Sequence, residues 1–355
     1  MTDLKERYQP KLLSQITTAR QVFGARFVAD DLLMSGGYDA LVHRWKRNGD
    51  KFEERAPLHG HHGWVSALTV SPGGQQVFTA DSWGEIRCWS ADESVTEAVW
   101  SNRTAHDGWI RALAVNNAGT VLTSAGRDGL IQLWSTETGA LIRELTALDG
   151  NSDYFSVLFH PTDGSVITGD FFGRVRQWNA GDGSLVREYN ATELFVEHRL
   201  QQVGGARCLA LNSDASILAV AGTRPKNGSN VQGTPLVLFF ETASGKQVRS
   251  LELGATSDVY VCDLAYHRDG FLMAVTSGNP GTGQVVFVEA DAEKPFFTEK
   301  KLPNCHALSL SQSGLQFAVT ATSKGSNGNG RRLDKDGNYL GNSSPIHIFE
   351  FESKL

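Results

Sequence analysis

The chain contains 355 residues, of which 40% are hydrophobic and 20% are charged, and its formal net charge is −6. This apolar content can bury a large core and excludes a disordered chain, and the net acidity argues against a general polyanion-binding protein. The sequence has no apolar run near the length of about 18 residues that a membrane helix needs, and its N-terminus lacks the apolar segment of a secretory signal. We therefore expect a cytoplasmic protein without a membrane segment.

The first predicted element is a strand near the N-terminus. Leu12–Thr18 mixes apolar and polar residues and precedes any repeated unit. We interpret it as a lone strand with one buried face. It has no hairpin partner beside it, so its partner has to come from elsewhere in the chain.

A period of 44 or 45 residues follows. It is marked by four tryptophans, each at the end of a short alternating run: Trp45, Trp89, Trp134 and Trp178. A hydroxyl residue stands ten positions before each of them: Ser35, Thr79, Ser124 and Thr168. Two columns that keep the same offset four times indicate a repeated unit rather than chance.

A third column extends the repeat beyond the tryptophans. In the strand before each hydroxyl, a mostly small residue directly precedes the first of two apolar residues that stand two positions apart. These small residues are Ala67, Ala112, Ser156, Cys208 and Ala307. Turn sequences such as SPGG and HRDG follow these strands and are typical of hairpins. In three later units the place of the tryptophan falls on Phe240, Val288 and Phe349. The sequence therefore predicts an all-β protein of seven units.

This pattern resembles the WD40 repeat family. The third unit matches best, since His106, Ser124, Asp128 and Trp134 fall at the spacing of the hydrogen-bonded tetrad of that family. The resemblance implies a structural role for these four residues.

The other units match the tetrad in part. Unit two has His61, Thr79 and Trp89, with Trp83 in the place of the aspartate. Unit one has Ser35, Asp39 and Trp45 without an evident histidine. Unit four has Phe172 where an aspartate is expected, and the last three units keep only the strand pattern.

The resemblance implies a single seven-bladed β-propeller that covers residues 1–355. Seven blades close into a ring only if the two ends of the chain meet. The last unit stops after its third strand, so we expect residues 1–19 to supply the missing outer strand. The predicted blades cover approximately residues 20–58, 59–103, 104–148, 149–190, 191–253, 254–302 and 303–352.

The motifs that could carry chemistry favour structural interpretations. Cys88, Cys208, Cys262 and Cys305 are too far apart in the sequence to form a recognised metal motif, and we expect reduced, buried thiols. The cluster of His59, His61 and His62 lacks a ligand pattern, so we expect no metal.

Two further segments resemble ligand-binding loops only superficially. Leu333–Leu340 has its glycine at the wrong place for an EF-hand, and its Asp-Gly step predicts a β-hairpin. The glycine-rich stretch 278–283 is not a P-loop. We therefore expect no cofactor.

A binding face is predicted where the loops between second and third strands meet the loops that lead into each blade. Long insertions at residues 191–205, 222–235 and 323–345 belong to this face, either as functional loops or as padding. Aromatic and arginine side chains, which are enriched at interfaces, fall in the shorter loops and strand starts. These candidates for partner binding are Tyr38, Trp64, Trp83, Trp109, Arg111, Tyr154, Phe171, Phe172 and Arg207. The alternative is that several of them seal the channel mouth or pack between blades.

By resemblance, we expect a non-catalytic scaffold or adaptor that binds a protein or peptide within a larger complex. One alternative is a propeller enzyme, such as a hydrolase or lactonase, for which Asp153 and Asp263 are the suggestive carboxylates. Another is a sensor that binds a small ligand at the channel mouth. The sequence argues against a nucleic-acid partner because no basic stripe with interleaved aromatics is present.

Overall fold

The computed structural model describes residues 4–145, 152–197, 202–227, 232–278, 282–322, 332–333, 335–337, 339–340 and 343–351. These residues form seven four-stranded antiparallel sheets and two short hairpins. The helical segments within them are α1 (Leu4–Arg7) and the 3-10 turn η1 (Thr192–Leu194). In this part of the chain, no helix is long and apolar enough to cross a membrane. The predicted all-β propeller of seven blades is confirmed.

The first four blades follow one another in chain order, each running from its inner to its outer strand. Blade 1 consists of β2 (Val22–Ala29), β3 (Leu32–Gly37), β4 (Val42–Asn48) and β5 (Lys51–Leu58). Blade 2 consists of β6 (Val65–Val70), β7 (Gln76–Asp81), β8 (Ile86–Ser90) and β9 (Trp100–Asn102). Blade 3 consists of β10 (Ile110–Val115), β11 (Val121–Gly126), β12 (Ile131–Ser135) and β13 (Leu141–Leu145). Blade 4 consists of β14 (Tyr154–Phe159), β15 (Val166–Asp170), β16 (Arg174–Trp178) and β17 (Leu185–Asn190).

The later blades carry the insertions. The hairpin β18 (Phe195–Glu197) and β19 (Gln202–Gly204) precedes blade 5, which consists of β20 (Cys208–Leu211), β21 (Ile217–Asn227), β22 (Gln232–Glu241) and β23 (Gln247–Glu252). Blade 6 consists of β24 (Tyr260–Tyr266), β25 (Leu272–Ser277), β26 (Gly283–Val288) and β27 (Phe297–Glu299). Blade 7 consists of β28 (Ala307–Leu310), β29 (Gln316–Thr320), β32 (Ile346–Phe351) and β1 (Pro10–Ile16).

The N-terminal strand closes the ring, as predicted. Strand β1 pairs antiparallel with β32, so that Leu12 lies opposite Phe349. The strand ends at Ile16 rather than at Thr18, because the Thr18 hydroxyl bonds instead to the backbone of Ser344. A sheet edge that would otherwise be open is thereby covered by the start of the chain.

Blades 1 and 7 are also joined directly. The Arg26 guanidinium donates to the Leu308 carbonyl oxygen at 2.9 Å, and the Phe27 amide donates to the Ser309 hydroxyl at 2.9 Å. Closure therefore rests on bonds between inner strands as well as on the outer strand.

The column marked by tryptophan is confirmed by strand register. In every blade the marker residue lies opposite an apolar residue of the second strand, as Trp134 does opposite Leu122. The three predicted substitutes obey the same register: Phe240 opposite Leu218, Val288 opposite Leu272, and Phe349 opposite Phe317. The repeated core is thus built from one large apolar residue per blade, packed between neighbouring sheets.

The other structural expectations can be compared with the described residues. All four cysteines are free, and Cys88, Cys208 and Cys305 are buried. The Asp-Gly segment forms a hairpin between β30 (Arg332–Leu333) and β31 (Tyr339–Leu340), with Gly337 at a φ of +81° in its turn. The predicted hairpin is confirmed.

Candidate functional site: the channel mouth

Antiparallel blades place two sets of loops on one face. The turn between the second and third strands of a blade and the connection into its inner strand lie at the same end of the sheet. Tyr38, Trp83 and Phe171 occupy turns of the first kind, and Trp64 and Trp109 directly precede inner strands. Sequence spacing thus brings these candidate residues to one face, at the mouth of the central channel.

Seven equivalent residues, one from each blade, form a ring at the mouth of this channel. They are the residues shared by the lining of an outer chamber of about 350 Å³ and an inner channel of about 260 Å³. We call them the mouth ring: Phe23, Ser66, Arg111, Phe155, Arg207, Cys262 and His306. The ring therefore separates the open chamber from the interior of the propeller.

The backbone explains why these side chains face the channel. In five inner strands the pairing register shifts at the mouth-ring residue, as at Arg111 between Ile110 and Ala112. A bulged residue has no partner in the ladder, and its side chain is turned away from the sheet. Arg207 and His306 directly precede β20 and β28 and occupy the same place.

The sequence contained a pattern that could have identified this ring. Each mouth-ring residue directly precedes the position of the small-residue column, as Phe155 precedes Ser156. On its own the column indicates only the number of blades. The predicted binding residues include Arg111 and Arg207 of this ring but not Phe23, Phe155, Cys262 and His306.

Aromatic side chains extend the ring outward on blades 1 to 3. The Phe23 and Tyr38 rings stack with centroids 4.7 Å apart, and Tyr38 lies 4.6 Å from Trp64. Trp109 meets Trp64 edge to face at 5.8 Å. Exposed fractions of 39% for Tyr38 and 42% for Trp64 leave apolar surface open to a partner.

Arginines continue the cluster across blades 3 to 6. The Arg111 guanidinium lies over the rings of Trp109 and Phe155, at 5.1 and 4.9 Å. The Arg207 guanidinium lies over Phe155 at 5.0 Å and over Tyr260 at 4.0 Å. Phe155 is therefore held between two cations.

Beyond Phe155, three phenylalanines pack edge to face. Phe171 contacts Phe155 at 5.7 Å and Phe195 at 5.4 Å, and Phe172 contacts Phe195 at 5.2 Å. Gly205 allows this packing, because a Cβ atom there would lie only 2.6 Å from the Phe155 ring. We call the whole set the aromatic arc: Phe23, Tyr38, Trp64, Trp109, Arg111, Phe155, Phe171, Phe172, Phe195, Arg207 and Tyr260.

Two of the three arginines at the channel are neutralised by carboxylates. Arg111 forms two bonds with Asp153, from Nε to Oδ1 at 2.6 Å and from Nη2 to Oδ2 at 2.7 Å. Arg26 contacts Asp263 at 3.2 Å, and Asp263 also accepts the Leu308 amide at 2.9 Å. Both carboxylates considered for an enzyme are thus engaged in ion pairs.

Arg207 differs from these two arginines. Within the described residues its side chain forms no hydrogen bond or ion pair, and its Nε atom is buried without a partner. An arginine has five N–H donors in a planar fork. The Nη donors of this side chain are therefore available at the ring between chamber and channel, whereas Nε is buried.

The neighbouring titratable groups of the ring are neutral at physiological pH. Burial raises the pKa of the Cys262 thiol to about 11, although the Arg207 charge opposes that shift. Burial lowers the pKa of His306 to about 4. Neither group therefore adds a charge beside Arg207.

Two candidates lie apart from the arc. Tyr154 is only 1% exposed and packs in the core between blades 3 and 4, so its predicted role in partner contact is wrong. It precedes the bulge, and its side chain points into the sheet interface while the next residue, Phe155, faces the channel. Trp83 is 66% exposed and stacks on His62 instead of joining the arc.

The tetrad of blade 3 forms a continuous chain of hydrogen bonds. Trp134 Nε1 donates to the Ser124 hydroxyl at 2.8 Å, and His106 Nε2 lies 2.7 Å from the same hydroxyl. His106 Nδ1 lies 3.0 Å from Asp128. Because the indole can only donate, the hydroxyl donates to Nε2, and the Nδ1 proton faces the carboxylate.

Blade 2 contains a complete tetrad that the sequence analysis missed. Its carboxylate is Asp81, two residues after Thr79, so the expectation that Trp83 replaces the aspartate is wrong. His61 bonds to Asp81 at 3.1 Å and to Thr79 at 2.6 Å. The Asp81 carboxylate at the end of β7 therefore bonds its histidine, just as the Asp128 carboxylate in the turn after β11 bonds His106 in blade 3.

Blades 1 and 4 have partial tetrads. In blade 4 the carboxylate is Asp170, which bonds Arg174 at 2.8 Å, so Phe172 does not stand in for it. In blade 1, Asp39 bonds His43 at 2.9 Å, and this pair is separate from the hydroxyl that Trp45 bonds.

One group of side chains has the spacing of a metal site. Ligand atoms of His61, Asp81 and Glu85 lie within 4.8 Å of one another. Both His61 nitrogens are already hydrogen bonded within the tetrad, and Glu85 pairs with Arg87 at 2.7 Å. The contacts of this group are those of a structural network.

Two of the three long insertions contact each other. Strands β21 and β22 pair with each other beyond the ends of the other two strands of blade 5. From this extension, Arg224 Nε donates to Glu193 Oε1 at 2.8 Å. The insertions at 191–205 and 222–235 therefore cluster beside blade 5. Their residues 198–201 and 228–231, like most of 323–345, lie outside the described residues.

The same repeats are recognised in known proteins. A family model for the WD domain, G-beta repeat, matches residues 52–90 and 99–135. These two matching segments lie within a seven-bladed propeller. The matched segments contain most of blades 2 and 3, where the two complete tetrads lie.

The curated relatives of this propeller match it over a short segment. WD repeat and FYVE domain-containing protein 2 of Caenorhabditis briggsae is 38% identical over 61 residues, and that of Caenorhabditis elegans is 36% identical over 58. Nuclear distribution protein nudF of Emericella nidulans is 30% identical over 63 residues. The matches cover 16 to 18% of this chain and 14% of each relative. The repeats and these similarities support a role in protein interaction.

Proposed function

We propose that this WD40 propeller is a non-catalytic, cytoplasmic scaffold that binds a protein or peptide at its channel mouth, as a subunit of a larger complex. The observation that carries the proposal is the aromatic arc, which joins side chains of six blades into one continuous surface. Tryptophan, tyrosine and arginine are the residue types that dominate interface hot spots.

The arc is suited to a peptide because it combines exposed and recessed parts. Tyr38 and Trp64 are open to solvent, whereas Phe155 and Arg207 lie at the edge of a chamber of about 350 Å³. A chain segment lying on the exposed rings can insert one side chain into that chamber. Anchors of this kind contribute most of the energy at interfaces.

The engaged state of the two channel carboxylates supports the non-catalytic proposal. A general base or nucleophile needs a carboxylate that can reach substrate. Asp153 is bonded at both oxygens by Arg111, and Asp263 is bonded by Arg26 and by backbone amides.

A small-ligand sensor is a second candidate. The volume of the outer chamber falls within the range of small-molecule pockets. Such a ligand would bury its apolar part against Phe23 and Trp109, which line this chamber. Competition between a candidate ligand and a bound peptide would identify this second function.

Affinity purification with mass spectrometry tests the scaffold proposal. Partners recovered with the wild-type chain should be lost from the Tyr38→Ala/Trp64→Ala double variant and from a Trp83→Ala/Phe171→Ala/Phe172→Ala triple variant. If either set contains a hot spot, its truncation should weaken binding by at least about 2 kcal/mol without lowering the melting temperature.

The matched control removes apolar surface from another side of the ring. Leu141 and Ile142 are each 52% exposed on an outer strand, and Leu141→Ala/Ile142→Ala should keep every partner. Recovery of the same partners with both the double and the triple variant would refute the proposed binding face.

A further inference from the structure

We propose that the Arg207 guanidinium binds a carboxylate of the peptide that occupies the channel mouth. This inference rests on the proposed function and adds the chemical identity of the anchoring group. It applies to an Asp or Glu side chain or to the C-terminal carboxylate of the partner.

Two aromatic rings pack against Arg207. Its Cζ atom lies over the rings of Phe155 and Tyr260, at 5.0 and 4.0 Å. Hydrogen bonds of a guanidinium run in its plane, through the fork of N–H groups. A planar carboxylate that meets this fork forms two parallel bonds.

The hydrogen-bonding state of Arg207 also indicates a missing partner. Within the part of the chain that the structure describes, its Nε is buried and bonded to no acceptor. A buried donor without an acceptor costs about 1 to 3 kcal/mol. An incoming carboxylate would satisfy the fork at the place where the inner channel opens to the chamber.

The equivalent Arg111 has its carboxylate partner within the same chain. Arg111 occupies the same ring and packs on the same Phe155, yet Asp153 holds it through two bonds of 2.6 and 2.7 Å. The described residues provide no such carboxylate for Arg207. In the proposal, the bound peptide supplies this carboxylate.

The charge balance favours a single negative charge. Among the described residues, the arginines Arg26 and Arg111 are each paired, which leaves the charge of Arg207 uncompensated. The next ring members, Cys262 and His306, are neutral at physiological pH. A monoanionic carboxylate matches one cation, whereas a phosphate dianion would leave an excess negative charge in a partly desolvated site.

Selection from a random library of short linear peptides on the immobilised full chain tests this proposal. Peptides that bind the mouth should carry an acidic residue at one fixed position or require a free C-terminus. Binding is then measured for each selected peptide and for its neutral counterpart, made by Glu→Gln, Asp→Asn or terminal amidation. The free and amidated peptides distinguish the terminal from the side-chain carboxylate.

The expected result is a coupling between the two charges. The neutral peptide should bind the wild-type chain at least about tenfold more weakly, and Arg207→Gln should weaken the acidic peptide equally and remove the difference. Arg207→Lys, which keeps the charge without the planar fork, should bind several-fold more weakly than wild type. Arg127→Gln is the matched control and should bind like wild type, because Arg127 is an exposed arginine on the same face outside both cavities.

Two outcomes would overturn this inference alone. One is that selected peptides lose affinity on Trp109→Ala but keep it on both Arg207 variants. The other is a phosphoserine peptide that binds through Arg207 more tightly than its carboxylate counterpart. If no selected peptide is sensitive to any arc variant, the proposed function fails together with this inference.

Discussion

Arg111 and Arg207 occupy equivalent places on the inner strands of blades 3 and 5, and both pack on the ring of Phe155, which lies between them. The first is neutralised by Asp153, and the second has no carboxylate within the described residues. Equivalent positions in two blades thus hold one arginine whose charge is neutralised by a carboxylate and one whose charge is not. Only one of the two has donors free for a partner.

The Arg111–Asp153 pair is expected to contribute modestly to stability. Both side chains remain about one quarter exposed, so solvent screens the pair. A double-mutant cycle with Arg111→Gln and Asp153→Asn should give a coupling of about 1 kcal/mol in urea unfolding at neutral pH. A coupling near zero would show that the two bonds do not stabilise the fold.

Replacing the tetrad hydroxyl should cost more in blade 2 than in blade 4. The Thr79 hydroxyl bonds both His61 and Trp89 at 2.6 and 2.7 Å, whereas that of Thr168 accepts from Trp178 and donates, in a long bond of 3.4 Å, to the Arg176 carbonyl oxygen. Valine keeps the shape but leaves these buried groups unsatisfied. Thr79→Val should therefore lower the free energy of unfolding by about 1 to 2 kcal/mol more than Thr168→Val. Equal losses in urea unfolding would contradict the role of His61.

Part of the stability should depend on the ionisation of Asp81. Burial would raise the pKa of this carboxyl, but hydrogen bonds from His61 and from the backbone of Glu85 and Gly63 outweigh burial and lower it to about 2, against 3.8 for a free aspartate. The folded state therefore binds its proton less readily than the unfolded chain. This contribution, about 2 kcal/mol, is fully present above pH 4 and is lost as pH falls toward 2.

Urea unfolding across that pH range measures the effect. Asp81→Asn should be less stable than wild type at neutral pH and should lose less stability between pH 4 and 2. Asp50→Asn, at an exposed turn, should follow the wild-type curve. If the Asp81 variant also follows the wild-type curve, the tetrad carboxylate does not contribute.

Removing residues 1–18 should destabilise the whole ring. The deletion takes away β1 and also Tyr8, which packs against Phe271 and Phe351 in the core of blades 6 and 7. It would leave the edge of β32 unpaired, which favours aggregation. We expect a clearly lower melting temperature and a loss of soluble protein.

A point variant tests whether the backbone pairing of β1, and not an exposed side chain on this strand, closes the ring. Leu12 is half exposed on β1, so Leu12→Ser should keep the pairing and change the melting temperature little. A truncated chain that melts like the full chain would contradict closure by the N-terminal strand.

The sequence by itself determined the all-β class, the seven units and the closing strand. These features follow from local rules, since strand alternation, hairpin turns and a large apolar residue opposite the second strand recur at a fixed period. The same regularity could have located the mouth ring, because each of its residues precedes the small-residue column.

Tertiary structure decided which of these side chains face the channel and which have hydrogen-bond donors available for a partner. A bulge separates Tyr154, buried in the sheet interface, from Phe155, which faces the channel, although the two are neighbours in sequence. Asp81 joined the tetrad from a position that the family spacing did not indicate. The pairing of Arg111 with Asp153 joins residues 42 apart from two blades, and the isolation of Arg207 depends on what every neighbouring blade presents. Such relationships depend on strand pairing within a blade and on packing between neighbouring blades, because the partners lie 20 to 42 residues apart in the sequence and meet only in the folded protein.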